Sequence, residues 1–427
     1  MTLDSLHQEN AHLRERLDRL ITRAAPPDSG IDVVVTVNEI NDRHGTGPLL
    51  QRALAGQRRV FSIRARSDYG YQEFGDWSGI LSHKNKSVEQ ARDHLRHLLA
   101  GRRVERVLCV PYQADELLTS IALHDLCHAP TCIWIMDDQN IATRLIPDDL
   151  MREALQKASL RLATHPELCR AYERKFGLPF YILPAVAPRR LLARERPVLA
   201  GEHPARALLS PSVSARAVLI GSIWDQVWFD RLCATVGGSG LTIDWFGNYR
   251  SLWVRFSERA LARAGIRPHG VVPEEQLAEE LRQASFAIVP VSPLDGSDSN
   301  PGIARLSLPG RILFAAASSN TPVLIVGSGE TCGARFVKHF GIGDVIPYDR
   351  SDFLSAVARL TQPEVQATMR ANAARIGPAL SDSDVSRWLL ESTLAGVPID
   401  RRFEDLFAGY PGESPAPASP VKKGRGL

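Results

Sequence analysis

Four short stretches of this 427-residue chain combine side chains and backbone suited to bond-making chemistry. The first is NEINDRHGTG at 38–47, where Gly45, Thr46 and Gly47 stand just ahead of Pro48. Glycines at a helix start let backbone N–H groups approach an anion, although the same residues also suit a plain turn with proline in the first helical turn. The second is Met136, Asp137, Asp138, Gln139 and Asn140. Two adjacent carboxylates flanked by amides can take a proton from a hydroxyl or hold sugar hydroxyls, so Asp137 and Asp138 are both catalytic candidates. The alternative is a capping or turn cluster. The third runs VPVSPLDGSDSNPGI (289–303) and on to SLPGRI (307–312). A polar loop of this length inside a compact domain points to function rather than to a surface excursion. Ser307 and Arg311 stand at the start of the helix that follows, so backbone N–H groups, a hydroxyl and a guanidinium converge as a diphosphate requires. The fourth, Gly221 and Ser222, is a short pair after an apolar run.

Two further motifs read as something plainer. HDLCH at 124–128 with Cys132 offers four metal-ligand types, but the histidines belong to a helix and Cys132 to a strand, with Pro130 between. Core packing is the simpler reading, and no metal site is expected. GSGETCG at 327–333 follows a strand and opens a helix, yet its third glycine is displaced and it stands late in the chain. No dinucleotide cofactor is expected.

The elements around these stretches alternate. Apolar, β-branched runs at 31–37, 60–64, 104–111, 131–136, 160–164 and 179–183 read as strands, with helices at 48–55, 88–100, 115–127, 147–158 and 166–176. Residues 184–214 are rich in Pro, Ala and Arg and read as a connector. Strands resume at 217–223, 241–246, 286–291, 322–326 and 344–347, with helices at 224–236, 252–264, 274–284, 311–318, 331–340, 352–360, 364–374 and 384–394. Short buried strands alternating with helices predict parallel sheets covered on both faces. The fold class is therefore α/β: two doubly wound, Rossmann-like halves, at 31–190 and 205–395, joined by the connector. Ligands of such sheets bind beyond the carboxyl ends of the strands, which is where all four stretches fall.

The two ends differ from the halves. Leu3, Asn10 and Leu17 occupy a positions and Leu6, Leu13 and Leu20 d positions of a heptad, predicting a coiled-coil helix over 1–24 and a homodimer through it. Packing of that helix on its own domain is the alternative. Residues 408–427 are Pro/Gly/Ser-rich and carry Lys422, Lys423 and Arg425, which predicts a disordered tail and allows peripheral contact with an anionic membrane. The 51 basic and 48 acidic residues leave a net charge of +3, which argues against a nucleic-acid binder. No apolar run approaches the ~18 residues of a membrane span, and the first ten residues lack a secretory pattern. Six scattered cysteines fit a reducing compartment, so a cytoplasmic location is expected.

The second half resembles the C-terminal domain of GT-B glycosyltransferases that act on nucleotide-sugars. The matching stretches are LIGSI (219–223), WFGN (245–248), GVVPEEQL (270–277) and, most strongly, ASFAIVP (284–290) through SLPGRIL (307–313) to NTPVLI (320–325). ATHPEL (163–168) and FYILP (180–184) resemble the strands that close the family's first domain. The resemblance implies that the two halves face a cleft, with a nucleotide-sugar co-substrate on the second half, a glycan or lipid-linked acceptor on the first, and no tightly bound cofactor or metal. It implies that Ser307, Leu308, Pro309 and Gly310 present backbone N–H groups to the diphosphate. Arg311 stands where relatives often carry lysine, Gly221 and Ser222 line the phosphate path, and Asp295 and Asp298 fall where relatives place an acid against the donor sugar. Gly45, Thr46 and Gly47 form the acceptor-side loop. The paired glutamates of many retaining members have no counterpart here: Phe314 or Ala315 occupies the ribose position, and Glu330 is the available substitute. The basic pair usual after the first strand of the second domain is also absent. The implied activity is sugar transfer in polysaccharide biosynthesis, with stereochemistry open. A nucleotide-sugar epimerase or hydrolase, or a non-catalytic scaffold, is the alternative.

Overall fold

The computed structural model describes residues 30–42, 45–70, 74–82, 87–193, 215–248, 254–297 and 301–411. The heptad helix expected at 1–24, residues 412–427 of the tail expected at 408–427, most of the connector and Asp298 lie outside the described residues. The start of that expected tail is ordered instead: Tyr410 is buried, because its ring packs on Phe336 and Phe407.

The first half holds β1 (Ile31–Thr36), β2 (Val60–Arg64), β3 (Trp77–Ile80), β4 (Val104–Cys109), β5 (Thr131–Ile135), β6 (Leu160–Ala163) and β7 (Tyr181–Ile182). They form one parallel sheet in the order β3-β2-β1-β4-β5-β6-β7. The second half holds β8 (Arg216–Ile220), β9 (Thr242–Phe246), β10 (Ile266–Gly270), β11 (Phe286–Pro290), β12 (Val323–Val326) and β13 (Gly343–Ile346). Their order is β10-β9-β8-β11-β12-β13, again all parallel. β1, β5 and β11 are buried along their whole length, as strands covered by helices on both faces must be.

Two strands carry no apolar signal and were not expected. β3 is four residues long and includes Gly79. β10 reads IRPHG and exposes Arg267, Pro268 and His269. Both lie at sheet edges, where short polar strands and proline are tolerated. The helix expected at 252–264 starts at Glu258, capped by Ser257, and the one expected at 48–55 starts at Thr46.

Each sheet changes direction once, between β1 and β4 and between β8 and β11. Those are the topological switch points, where loops diverge and leave a crevice at the carboxyl ends. The halves touch there and along one side. Arg52 makes an ion pair with Glu274 at 2.9 Å, and Arg190 pairs with Glu275. After the second sheet the chain returns to the first half. The helix Val385–Ala395 packs on the helix Thr46–Ala53, and Gln57 Nε2 donates to Ser386 Oγ at 2.9 Å. Buried residues of both halves, Val35 and Ile133 from one and Ile312 and Leu380 from the other, belong to one continuous core. Among the described residues no helix is long and apolar enough to cross a membrane.

Candidate functional site

The cleft is built from the carboxyl ends of β1, β4, β5 and β6 on one side and of β8, β11 and β12 on the other. On the first side, Glu39 shapes the loop after β1. Its buried carboxylate accepts from Ser67 Oγ and from the N–H groups of Asp68 and Tyr69, both at 3.1 Å. The helix that follows opens with Thr46, and Gly47 is obligatory there: a Cβ would lie 1.8 Å from the Asn41 carbonyl oxygen. Gly45 has open space where its side chain would be.

The Thr46 hydroxyl lies 3.1 Å from Tyr112 Oη, and Tyr112 Oη donates to Asp137 Oδ2 at 3.2 Å. Three strand ends, after β1, β4 and β5, are therefore joined by one hydrogen-bonded chain. Burial is the main influence on Asp137 and raises its pKa, helped by neighbouring Asp138. The hydroxyls of Tyr112 and Ser307 oppose the rise. Ser307 belongs to the second half and is buried; its Oγ faces Asp137 but makes no hydrogen bond of regular geometry.

The adjacent carboxylates divide their work. Asp138 is fully buried and accepts from the N–H groups of Asn140 (3.0 Å), Ile141 (2.7 Å) and Ala142 (2.7 Å). Its oxygens hold the turn at 139–143, as in the capping alternative, while Asp137 keeps some surface in the cleft. Asn140 Nδ2 donates to the Ile146 carbonyl at 2.8 Å, which closes that loop on itself.

On the second side, no side chain caps the helix Gly310–Ser319, and Leu308 and Pro309 lead into it. Arg311 is turned back onto the sheet. Its Nη1 donates to the carbonyls of Ile220 (2.9 Å) and Ser222 (2.7 Å), and Nη2 to that of Pro290 (3.4 Å). Among the described residues no carboxylate pairs with it, and its Nε has no partner. Burial pulls its pKa down to about 10, so it stays protonated at neutral pH. Gly221 makes this pose possible. Its φ is +78°, and a Cβ there would lie 2.7 Å from Arg311 Cδ and Nη1.

Other expected residues take no part in the hydrogen-bonded chain from Thr46 to Asp137. Asp295 is half-exposed, pairs with Arg231 at 2.7 Å and holds the Ser297 hydroxyl, which keeps its pKa low, at about 2. Glu330 is exposed, and its backbone carbonyl accepts from Arg335. Cys132 is buried in β5, where desolvation pushes its thiol pKa well up. Among the described residues no three His, Cys, Asp or Glu side chains group as metal ligands.

Tyr112, Glu116 and His165 were not singled out from the sequence. The signal available was position alone, since Tyr112 follows β4 and His165 follows β6. Glu116 is buried; its Oε2 accepts from the N–H groups of Tyr112 (2.9 Å) and Gln113 (2.6 Å), while Oε1 has no partner. Burial, above all, raises its pKa to about 7; Asp115 adds to the rise, and the two backbone bonds and Arg66 oppose it. A carboxyl with a raised folded pKa contributes stability in full below its unfolded value and loses it as pH rises through about 7. His165 acts in the opposite sense. Burial holds its imidazole down at about 4, so its contribution is full above 6.5 and is lost as pH falls toward 4. Glu116→Gln keeps an acceptor for both N–H groups and removes the first titration. Urea unfolding should show this variant gaining on the parent between about pH 4.5 and pH 8, by roughly 3 kcal/mol at most. A constant difference across that range would refute the assignment.

No family model and no curated protein matches the sequence. Solved structures do match. The Anabaena protein Alr3699/HepE in complex with UDP and glucose superposes with a TM-score of 0.57 at 12% identity, covering 86% of this chain and 100% of that one. This chain has the GT-B fold. A putative UDP-N-acetylglucosamine 2-epimerase from Listeria monocytogenes matches with a TM-score of 0.54 at 10% identity, covering 88% of this chain and 98% of that one. A glycosyltransferase from Rickettsia africae matches with a TM-score of 0.55 at 12% identity, covering 86% and 99%. At such identities the likeness concerns the GT-B fold alone.

Proposed function

We propose that this chain is a glycosyltransferase that moves a sugar from a nucleotide-sugar to a hydroxyl of a glycan or lipid-linked acceptor, in the building of a polysaccharide. One observation carries the reading. The Thr46–Tyr112–Asp137 chain of the first half meets Ser307 of the second, just ahead of a helix N-terminus and a buried guanidinium that no carboxylate among the described residues neutralises. An anion and a hydroxyl acceptor are the two ligands such a cleft suits.

In this mechanism the donor's diphosphate lies at the N-terminus of Gly310–Ser319, where backbone N–H groups, the helix dipole and the charge of Arg311 stabilise it as it leaves. The acceptor oxygen attacks the anomeric carbon as the bond from that carbon to the diphosphate oxygen breaks. The acceptor's proton passes to the Asp137 carboxylate, whose raised pKa suits it to take that proton. Tyr112 and Thr46 hold that carboxylate in one orientation. Asp138 organises the neighbouring loop and takes no proton.

Support from outside the chain is the fold shared with proteins solved with UDP and with UDP-glucose. The test is release of nucleoside diphosphate from UDP-, GDP- and ADP-sugars with and without added glycan acceptors. Release that depends on an acceptor is the expected outcome. An epimerised or free sugar formed without any acceptor would contradict transfer and favour the epimerase or hydrolase reading.

A further inference from the structure

Residues 305–307 lead directly into the helix Gly310–Ser319, and all three lie at the boundary with the first half. Arg335, on the helix Cys332–Phe340, is the first link. Its Nε donates to Glu167 Oε1 at 2.9 Å, and its Nη2 donates both to Glu167 Oε2 and, at 3.0 Å, to the Arg305 carbonyl. Glu167 belongs to the first half, in the opening turn of the helix Pro166–Phe176. Its carboxylate has no exposure and also accepts from Tyr410 Oη at 3.0 Å. His165, buried at the cap of that helix, lies against the Leu306 backbone. Asp137 faces the Ser307 hydroxyl. One turn earlier, Gly302 packs so closely on the first half that a Cβ would come within 2.4 Å of Ala142 Cβ. Arg335 Nη1 also donates to the Glu330 carbonyl, which ties in the loop after β12.

Stability alone is a poor reason for this arrangement. A buried ion pair loses its hydration, and well-packed apolar side chains in its place often serve as well or better. What a planar, two-pronged guanidinium–carboxylate pair supplies is geometry. We propose that Glu167 and Arg335 are positioning residues: their ion pair fixes the 305–307 segment against the first half, and so sets the distance between the N-terminus of Gly310–Ser319 and Asp137. The functional consequence rests on the reading that a donor diphosphate binds at that helix. Every nitrogen of the Arg335 guanidinium is engaged within the protein, so the pair acts through the segment it holds.

The decisive variant is the double substitution Glu167→Gln with Arg335→Met, which removes both charges and leaves none buried alone. Glu167→Gln by itself strands Arg335 and can lower stability generally, so it serves as the comparison. Melting temperature reports the fold, hydrogen exchange of amides 305–313 reports the segment in unliganded protein, and calorimetry with UDP reports the site. In the double variant these amides should exchange about tenfold faster while the strands keep their protection. UDP should bind about tenfold more weakly, or about 1.4 kcal/mol. Exchange at 305–313 equal to the parent's would overturn the clasp, as would a parental UDP affinity. If UDP fails to bind even the parent while the amides of the double variant still exchange faster, the diphosphate reading falls and the clasp on this segment stands.

Discussion

Asp137→Asn should lower sugar transfer by about 10²–10⁴-fold, the usual contribution of a positioned general base. UDP affinity should stay within about twofold, because the donor's diphosphate is held by the other half. Asparagine keeps an oxygen for Tyr112 Oη, so the Thr46–Tyr112 arrangement survives. The fold should not suffer. Asp137 has a raised pKa in the folded state, so its ionised form opposes folding at neutral pH, and removing the charge leaves stability equal or higher. The rate–pH profile supplies a second check. In the parent, the rate should fall on the acid side through a pKa above the ordinary aspartate value, and that limb should vanish in Asp137→Asn. Asp138→Asn tests the other side of the division. It replaces an acceptor of three strong backbone bonds with an amide that can accept on one atom only, so it should lower stability and leave the shape of the pH profile intact.

Arg311→Met should weaken UDP binding by about 100-fold, equivalent to about 2.7 kcal/mol, within the range of hydrogen bonds to charged groups. The guanidinium is the cation beneath the expected diphosphate, and it also ties together the ends of β8 and β11 through the carbonyls of Ile220, Ser222 and Pro290. Methionine fills most of the volume and supplies neither. Arg311→Lys should fall between, since it restores the charge without the fork that reaches both Ile220 and Ser222. Calorimetry with UDP on the three proteins measures this directly. Equal affinity in parent and Arg311→Met would remove Arg311 from the site. Gly221→Ala makes the complementary point. Its Cβ meets Arg311 at 2.7 Å in a left-handed backbone conformation, so the arginine must move, and UDP affinity should fall without any change in charge.

Much of this architecture was readable in advance because buried parallel strands are written in apolar runs. β1, β5 and β11 announce themselves that way. β3 and β10 do not, since an edge strand is held by backbone hydrogen bonds to a single neighbour and can be polar. Thr46, Asp137 and Ser307, which the sequence places in three separate loops after strands, come together. Which of two adjacent aspartates faces the cleft was not legible. Both have the same chemistry, and the difference is made by the turn at 139–143, whose N–H groups capture Asp138. Tyr112 was invisible for a related reason. A lone tyrosine after a strand reads as core, and its role arises only because β4 lies between β1 and β5. Arg311 is conspicuous in the sequence, but its pose depends on the backbone of Gly221, ninety residues earlier. Asp295, expected against a donor sugar, is held by Arg231, a partner that no local pattern indicates.

A nucleoside diphosphate is expected in the cleft between the two halves, at the start of Gly310–Ser319. A crystal structure of the protein with UDP measures this most directly. Both phosphates should lie within hydrogen-bonding distance of backbone N–H groups at the start of that helix, on the side facing Asp137. A diphosphate bound elsewhere, or a cleft left empty at saturating UDP, would contradict it.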